Sequence, residues 1–249
     1  MNFKIAIPVF NSEDWISNNI EMILRQTHTN FEACIINDAS TDKTGDVIED
    51  YRKKLDTRFK IVHNQINQGP LANQYAAWKQ HLNSSDDKES VLITIDGDDW
   101  LYSVGSLQVL NAYYENVNPL LTYGNHIHWP WGSKSNCEAL PQNIIDNNDF
   151  RKYKFCTSHL RSFKSKVLDS IPLSHLQDVK HNFYKRAGDV ALMMSALEIS
   201  RSRIHQIPEI LYIYNRVNPL SEDVIDQKEQ SKIEQEIRLK SKLTSPGDF

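Results

Sequence analysis

The feature that most constrains the fold is an alternation of short apolar runs with longer amphipathic stretches over the first 125 residues. The stretches between the runs place apolar side chains at helical spacing. Continuous apolar strands that alternate with helices are typical of a parallel sheet covered on both faces. We therefore predict a single α/β domain with a mostly parallel central sheet and helices on both faces. The apolar runs are found at residues 3–7, 31–36, 59–63, 91–95 and 120–123.

Polar residues follow the first four predicted strands directly. In an open α/β sheet, ligands bind beyond the carboxyl ends of the strands. The polar segments therefore predict a binding site at that edge of the sheet. They are Asn11-Ser12-Glu13, Asn37-Asp38-Ala39-Ser40-Thr41-Asp42, Asn67-Gln68-Gly69 and Asp96-Gly97-Asp98-Asp99.

The segment Asp96-Gly97-Asp98-Asp99 places three carboxylates within four residues at the end of a buried strand. Such carboxylates repel each other unless a cation neutralises them, and oxygen ligands suit Mg²⁺ or Mn²⁺. Mg²⁺ typically completes its shell with substrate phosphates, which predicts a diphosphate ligand. The structural alternative is a solvated acidic turn. Neither a GxGxxG fingerprint nor a P-loop is found in the sequence.

Composition excludes several other classes of protein. The net charge is −4, and the sequence has no basic stripe of the kind that neutralises phosphates, so we expect no nucleic-acid partner. Three widely spaced cysteines form no disulfide framework. No apolar run reaches the roughly 18 residues of a transmembrane segment. We expect a cytoplasmic protein, with attachment to a membrane surface left open.

Four segments together resemble family 2 glycosyltransferases of the GT-A fold. They occur in the family's order within about residues 3–125, at residues 5–11, 36–42, 67–73 and 96–99. The resemblance implies a GT-A fold and an inverting transferase that moves a sugar from a nucleotide-diphospho-sugar, with UDP as the expected nucleotide, to an acceptor hydroxyl. It also implies a divalent metal, Mn²⁺ or Mg²⁺. The Gln-x-x-Arg-Trp motif of processive synthases is not found, which favours transfer of a single sugar.

The resemblance also implies roles for individual residues. Asp38 would accept a hydrogen bond from the base and Asp98 would bind the metal. Asp99 would hold the donor sugar or support the direct ligands from behind. Residues 157–164 would lie near the donor phosphates or the acceptor, where His159 and Arg161 could neutralise the diphosphate. The structural alternative is a charged surface loop. The full set implied for nucleotide and donor binding is Pro8, Phe10, Asn11, Glu13, Asp38, Asn67, Gly69, Asn73, Asp96, Gly97, Asp99, His159 and Arg161.

The catalytic base of the family usually lies in a Glu-Asp pair that opens a helix. The matching place here is Gly188-Asp189, and we assign the base to Asp189. A carboxylate there would take the proton of the acceptor hydroxyl. The structural alternative is that Asp189 only caps the helix. The chain departs from the family pattern at Gly188, which replaces the glutamate, and at Ala72, which replaces a frequent arginine.

We divide the chain into a glycosyltransferase domain at residues 1–220 and a C-terminal helix and tail at 221–249. Within the domain, residues 1–125 are the predicted nucleotide-sugar half and residues 126–220 the acceptor half. The C-terminal helix would pack on the domain or form a homodimer. Trp129 and Trp131 would stack on a sugar or pack a loop.

Two other functions stay open from the sequence. A nucleotidyltransferase also pairs an α/β sheet with metal-binding carboxylates, but it should carry a phosphate loop rich in glycine and lysine, where this chain has Pro8-Val9-Phe10-Asn11. A catalytically silent module that binds a nucleotide sugar or a glycan would be insensitive to the loss of Asp189.

Overall fold

A computed structural model describes residues 1–83, 86–219 and 227–244 of the chain. The described strands are β1 (Phe3–Val9), β2 (Phe31–Asn37), β3 (Phe59–His63), β4 (Val91–Thr94), β5 (Trp100–Leu101), β6 (Leu121–Trp129), β7 (Ser133–Lys134), β8 (Ser158–Lys164) and β9 (Ile204–Asn215). The described α-helices are α1 (Ile16–Leu24), α2 (Thr44–Tyr51), α3 (Pro70–Ala76), α4 (Ser106–Asn116), α5 (Gln142–Asp146), α6 (Ser165–Asp169), α7 (Gly188–Ser200) and α8 (Gln227–Leu239). A π-helical turn, Ala77–His81, extends α3.

All described strands belong to one sheet, in the order β3-β2-β1-β4-β8-β6-β9-β5, with β7 paired to β6. The first four strands of that order are parallel, as predicted. The second half of the chain is mixed: β8 lies antiparallel between β4 and β6, whereas β9 is parallel to β6. Antiparallel neighbours need no helical crossover, so this half lacks the strand–helix alternation that marks the first. The α/β prediction is confirmed, but the parallel part of the sheet contains fewer strands than expected.

The sheet has an apolar core on each face, because successive side chains of a buried strand point to opposite sides. On β1, Ile5 and Ile7 pack with α1 and α4 on one face. Ala6 faces the other side, where Trp78 and α7 complete the second core. Both faces of the sheet are therefore covered, which explains why the strands read as continuous apolar runs.

The C-terminal helix α8 packs on the same domain. Ile237 of α8 is fully buried in the core that contains α7. The Arg151 guanidinium donates two hydrogen bonds to the Glu198 carboxylate, both at 2.7 Å, and a third to the carbonyl of Ile237 at 2.6 Å. Packing within the chain, one of the two predicted roles of this helix, is therefore present. Among the described residues, no helix has the length and apolar character that a bilayer crossing requires.

Candidate active site

A pocket of about 820 Å³ opens at the carboxyl ends of β1, β2 and β4, where the sequence predicts the site. It is also lined by β8, the start of α7 and the end of β9, so it joins the two halves of the chain. The predicted site residues that line it are Pro8, Phe10, Asp38, Asn67, Gly69, Asn73, Asp96, Gly97, Asp98, Asp99, His159, Arg161 and Asp189.

Asn11 and Glu13 do not line this pocket, contrary to the expectation of direct nucleotide contact. The Asn11 side-chain oxygen accepts a hydrogen bond from the backbone N–H of Thr41 at 2.8 Å. A Glu13 carboxylate oxygen accepts one from the backbone N–H of Lys43 at 2.6 Å. Both side chains are used to tie the loop after β1 to the loop after β2. They shape the pocket indirectly.

Asp38 is 3% exposed, and its carboxylate holds the loop that precedes α3. One oxygen accepts hydrogen bonds from the Asn64 side chain and the Gln68 backbone N–H, and the other accepts one from the Gly69 N–H, each at 2.8 Å. Gly69 has φ +88, a conformation that favours glycine. The Asn64 amide also donates to Asn73 at 2.8 Å. Asp38 therefore positions Gly69 on the pocket wall.

Gly97 is required by close packing in the acidic segment. A β-carbon added there would lie 2.4 Å from the Val9 Cβ. The backbone N–H of Gly97 donates to the Pro8 carbonyl at 3.0 Å, so the turn lies directly against the end of β1. This contact places the carboxylates on either side of Gly97 at the pocket.

The carboxylates of Asp98 and Asp99 have different partners, which come from the end of β9 and from the segment that follows it. Asp99 is 1% exposed and accepts hydrogen bonds from the Tyr212 hydroxyl at 2.8 Å and the Asn215 N–H at 2.7 Å. The Asn218 amide donates to Asp98 at 2.6 Å. The role of Asp99 seen here is to join the turn to β9, whereas Asp98 is half-buried on the pocket wall.

Negative charge is concentrated at this end of the sheet. Burial, together with the charges of Asp98 and Asp189, raises the pKa of Asp96 to about 7, although Arg161 lowers it. Crowded, partly desolvated carboxylates of this kind are the donor set that a hard divalent cation neutralises. Within the described residues, no three His, Cys, Asp or Glu side chains converge as a metal-binding group.

Asp189 lies in the first turn of α7 and lines the same pocket as these carboxylates. One of its oxygens lies 3.0 Å from the Arg161 guanidinium, and the other accepts the Val190 N–H at 2.8 Å. Its side chain is 37% exposed, which leaves it accessible to a ligand in the pocket. The N-cap residue of α7 is Ala187, and no side chain caps the helix, so Asp189 is not the capping residue that the structural alternative predicts.

His159 lines the pocket but carries no positive charge there. Its ring stacks on the Tyr212 ring, with centroids 4.5 Å apart. Burial, and to a smaller extent the charges of Arg161 and His126, lowers the pKa of His159 well below its usual value. Of the two residues expected to neutralise a diphosphate, only Arg161 is therefore cationic.

Several pocket residues were not found from the sequence. Tyr212 and Asn218 contact the acidic segment from more than 110 positions away, so no local spacing connects them to it. The Lys185 ammonium donates to the Asn67 carbonyl at 2.8 Å and lines the pocket.

The side chains of His126 and His128 also line the pocket, with their Nε2 atoms 2.9 Å apart. Trp129 and Trp131, which are expected to stack on a sugar or pack a loop, do not line it. Trp129, the last residue of β6, packs edge-on against Trp100 of β5, with ring centroids 5.6 Å apart.

Comparison with known proteins agrees with this geometry. The sequence model described as Glycosyl transferase family 2 matches residues 4–171. The putative glycosyltransferase EpsH of Bacillus subtilis is 34% identical over 98 residues, which cover 39% of this chain and 26% of that protein. This chain therefore aligns with about a quarter of the length of that curated relative.

Solved structures share the fold at low sequence identity. TarS 1–349 of S. aureus, in complex with UDP-GlcNAc, has a TM-score of 0.61 and 19% identity over 88% of this chain and 59% of that one. The mannosyltransferase PcManGT of Pyrobaculum calidifontis, in complex with GDP-Man and Mn²⁺, has a TM-score of 0.59 and 13% identity over 89% and 59% of the two chains.

Proposed function

The chain belongs to glycosyl transferase family 2, and from this premise we propose that it transfers a single sugar, with inversion, from a UDP-linked donor to an acceptor hydroxyl. The observation that carries the proposal is that Asp98, in the turn after β4, and Asp189, at the start of α7, line one pocket. One carboxylate is available to the donor diphosphate and its cation, and the other to the acceptor. Within the family, UDP is favoured because the TarS neighbour binds UDP-GlcNAc.

The nucleotide would occupy the part of the pocket formed by the first half of the chain. Asp38 already accepts three hydrogen bonds, and two carboxylate oxygens offer about four acceptor sites in all. One site is left for an N–H of the base. Pro8 and Phe10 would pack against the nucleotide, and Phe10 is 40% exposed at the rim.

A divalent cation, Mn²⁺ or Mg²⁺, fits this donor set and would be held by Asp98 together with diphosphate oxygens and water. When bound, the cation would stabilise the negative charge on the leaving diphosphate. The Mn²⁺ in the PcManGT complex supports the choice of metal. The side chain of Asn218 would keep Asp98 in place from the protein side.

The reaction on the acceptor side depends on Asp189. As the acceptor oxygen forms its bond to the anomeric carbon, the bond from that carbon to the diphosphate oxygen breaks and the nucleoside diphosphate leaves. The acceptor proton goes to the Asp189 carboxylate, which acts as general base. Residues 126–220 would supply the acceptor contacts, and His126, His128 and Tyr214 line that part of the pocket.

A thermal-shift screen with UDP, GDP and their sugar derivatives, with and without Mn²⁺, tests the proposal. A ligand that binds the native state raises the unfolding midpoint by mass action. We expect a Mn²⁺-dependent shift with UDP that is lost in Asp98→Asn and retained in Asp189→Asn. A larger shift with GDP than with UDP would show that the nucleotide is GDP. A shift of equal size with and without Mn²⁺ would contradict the metal role of Asp98.

Release of UDP from UDP-sugars then separates an enzyme from a silent binding module. With water or an added glycan as acceptor, we expect Asp189→Asn to abolish UDP release without loss of UDP binding. Equal UDP release by wild type and Asp189→Asn would contradict the base assignment. Binding without any turnover in wild type would favour the silent module.

A further inference from the structure

Two histidines on β6, His126 and His128, face the pocket together. Side chains two residues apart on a strand point to the same side, and both of these line the pocket. Their Nε2 atoms are 2.9 Å apart. The Nδ1 atom of His126 lies 2.7 Å from the Ser158 hydroxyl, and that of His128 lies 3.1 Å from the Ser133 hydroxyl. The serines thus hold both rings so that one nitrogen of each meets the other.

The hydrogen bonds of the two rings are compatible with a bound metal ion. Without an ion, one Nε2 carries the proton that forms the hydrogen bond between the rings. An ion would bind both Nε2 lone pairs, and the ring protons would then lie on the Nδ1 atoms. The hydroxyls of Ser133 and Ser158 can accept those Nδ1–H groups, and outer partners of this kind orient histidine ligands in metal sites.

The charge state of His126 also suits a metal ligand. Burial, followed by the charges of His128, Arg161 and Arg216, lowers the pKa of His126 from 6.5 to about 4. The ring is therefore neutral at pH 7, and neutral imidazole is the form that binds a metal. The two arginines oppose a cation, but the Asp189 carboxylate lies 3.0 Å from the Arg161 guanidinium and balances its charge.

The distance between the two Nε2 atoms indicates which ions fit. With metal–nitrogen bonds of about 2.0–2.1 Å, nitrogens 2.9 Å apart enclose an angle of about 90° at the metal. Neighbouring ligands form this angle in the square-planar and tetragonal complexes of Cu²⁺ and Ni²⁺. A tetrahedral Zn²⁺ ion would need nitrogens about 3.4 Å apart. Within the part of the chain that the structure describes, no third His, Cys, Asp or Glu joins the pair, so water would fill the other positions.

We propose that His126 and His128 form a binding site for a divalent transition-metal ion, Cu²⁺ or Ni²⁺, separate from the cation site of Asp98. The two sites differ in ligand chemistry, because carboxylate oxygens suit Mg²⁺ and Mn²⁺ whereas imidazole nitrogens suit Cu²⁺ and Ni²⁺. The inference goes beyond the proposed function, since sugar transfer does not need this ion. An ion bound to the pair would occupy the part of the pocket assigned to the acceptor and would inhibit transfer.

Calorimetry with Ni²⁺ on the full chain, without nucleotide, tests the site. We expect His128→Asn to abolish measurable binding, because one of the two protein ligands is lost. Ser158→Ala should weaken binding by about tenfold, the effect of losing an outer partner of a histidine ligand. With Cu²⁺ as a second probe, the electron paramagnetic resonance spectrum of wild type should show coupling to two nitrogens, and that of His128→Asn should not.

Two further variants serve as controls. His181→Asn makes the same substitution at an exposed histidine outside the pocket and should leave Ni²⁺ affinity unchanged. Asp98→Asn should also bind Ni²⁺ like wild type. Loss of binding in Asp98→Asn would assign the ion to the acidic segment and overturn the inference.

No Ni²⁺ binding by wild type, or equal binding by wild type and a folded His128→Asn, would also overturn the inference. Equal binding would show an adventitious ion only. Circular dichroism of the same samples checks folding. Because UDP takes no part in these measurements, their result does not depend on whether the proposed function holds.

Discussion

The two walls of the pocket are stabilised in different ways. The donor wall comprises the loops after β1 to β4, and its contacts are mainly hydrogen bonds between neighbouring loops, such as those that Asp38 accepts from Gln68 and Gly69. The base wall, named like the donor wall for its proposed role, comprises β8, α7 and the end of β9. Behind it, the buried Arg151–Glu198 pair joins α7 to residues 150–152 and to α8.

This difference predicts how each wall responds to a substitution. A donor-wall loop can be loosened by a local change while the rest of the sheet stays intact. The base wall depends on a buried charge pair, because an ion inside a protein is tolerated only while its partner is present. Damage to that pair should reach α7, which carries Asp189 in its first turn.

The largest effect is expected for Glu198→Gln. The Glu198 side chain is fully buried and that of Arg151 is 4% exposed, so the substitution leaves an arginine charge uncompensated inside the protein. We expect the free energy of unfolding to fall by about 3–5 kcal/mol. Urea denaturation followed by circular dichroism measures it. A change below about 1 kcal/mol would contradict the view that this pair supports the base wall.

A smaller effect is expected on the donor wall from Gly97→Ala. The added methyl group would lie 2.4 Å from Val9 Cβ, so the turn or the end of β1 must shift. We expect a loss of about 1–3 kcal/mol in unfolding free energy, together with weaker UDP binding. Gly105→Ala is the matched control, since its nearest neighbour would be 3.8 Å away. Equal free energies of unfolding for Gly97→Ala and Gly105→Ala would show that close packing does not require glycine at position 97.

The base wall should also weaken in acid through His175, which lies 3.3 Å from the Arg151 guanidinium. Burial, followed by the charges of Arg151 and Lys240, lowers the pKa of His175 from 6.5 to about 4. As the pH falls, His175 is therefore protonated in the unfolded chain before it is protonated in the folded protein. The stability that is present above pH 6.5 is lost as the pH falls toward 4.

We expect this loss to amount to about 1–2 kcal/mol over that interval. Urea midpoints at several pH values in wild type and His175→Gln measure it. The substitution should flatten the pH dependence. Parallel curves for the two proteins would show that His175 does not contribute.

The smallest effect is expected at the surface pair Glu49–Arg52 on α2. It has the same two-bond geometry as Arg151–Glu198, with bonds of 2.6 and 2.7 Å, but its side chains are 43% and 55% exposed. Exposed pairs gain little because water solvates both charges well when they are apart. We expect Glu49→Gln to leave the urea midpoint unchanged within error at pH 7. A loss of unfolding free energy comparable to that of Glu198→Gln would contradict the expected difference between exposed and buried ion pairs.

The donor wall could be predicted from the sequence because its residues directly follow strands. Asp38 and Asp98 are each one or a few positions beyond an apolar run, so a local pattern places them at the edge of the sheet. Asn11 and Glu13 follow a strand too, yet they bind backbone groups of the neighbouring loop. The pattern places a residue at the edge but does not decide which way its side chain points.

The base wall was predictable only in part. Asp189 is assigned as the base by resemblance alone, and its ion-pair partner Arg161 is assigned by the same resemblance to the donor. The antiparallel insertion of β8 beside β4 brings the two together, and hydrophobic periodicity carries no information on which strands become neighbours. Periodicity likewise carries no information on the contacts of Tyr212, Asn215 and Asn218 with the acidic segment.

By itself, the sequence determined the α/β class, the edge of the sheet that carries the site, and the acidic segment at its centre. Each follows from interactions between residues close together in the chain. Only the tertiary structure decided the neighbours of β8 and β9, the burial of Arg151 with Glu198, and the pairing of Arg161 with Asp189. These depend on contacts between distant segments, whose energies are set by burial and geometry that exist only once the sheet is formed.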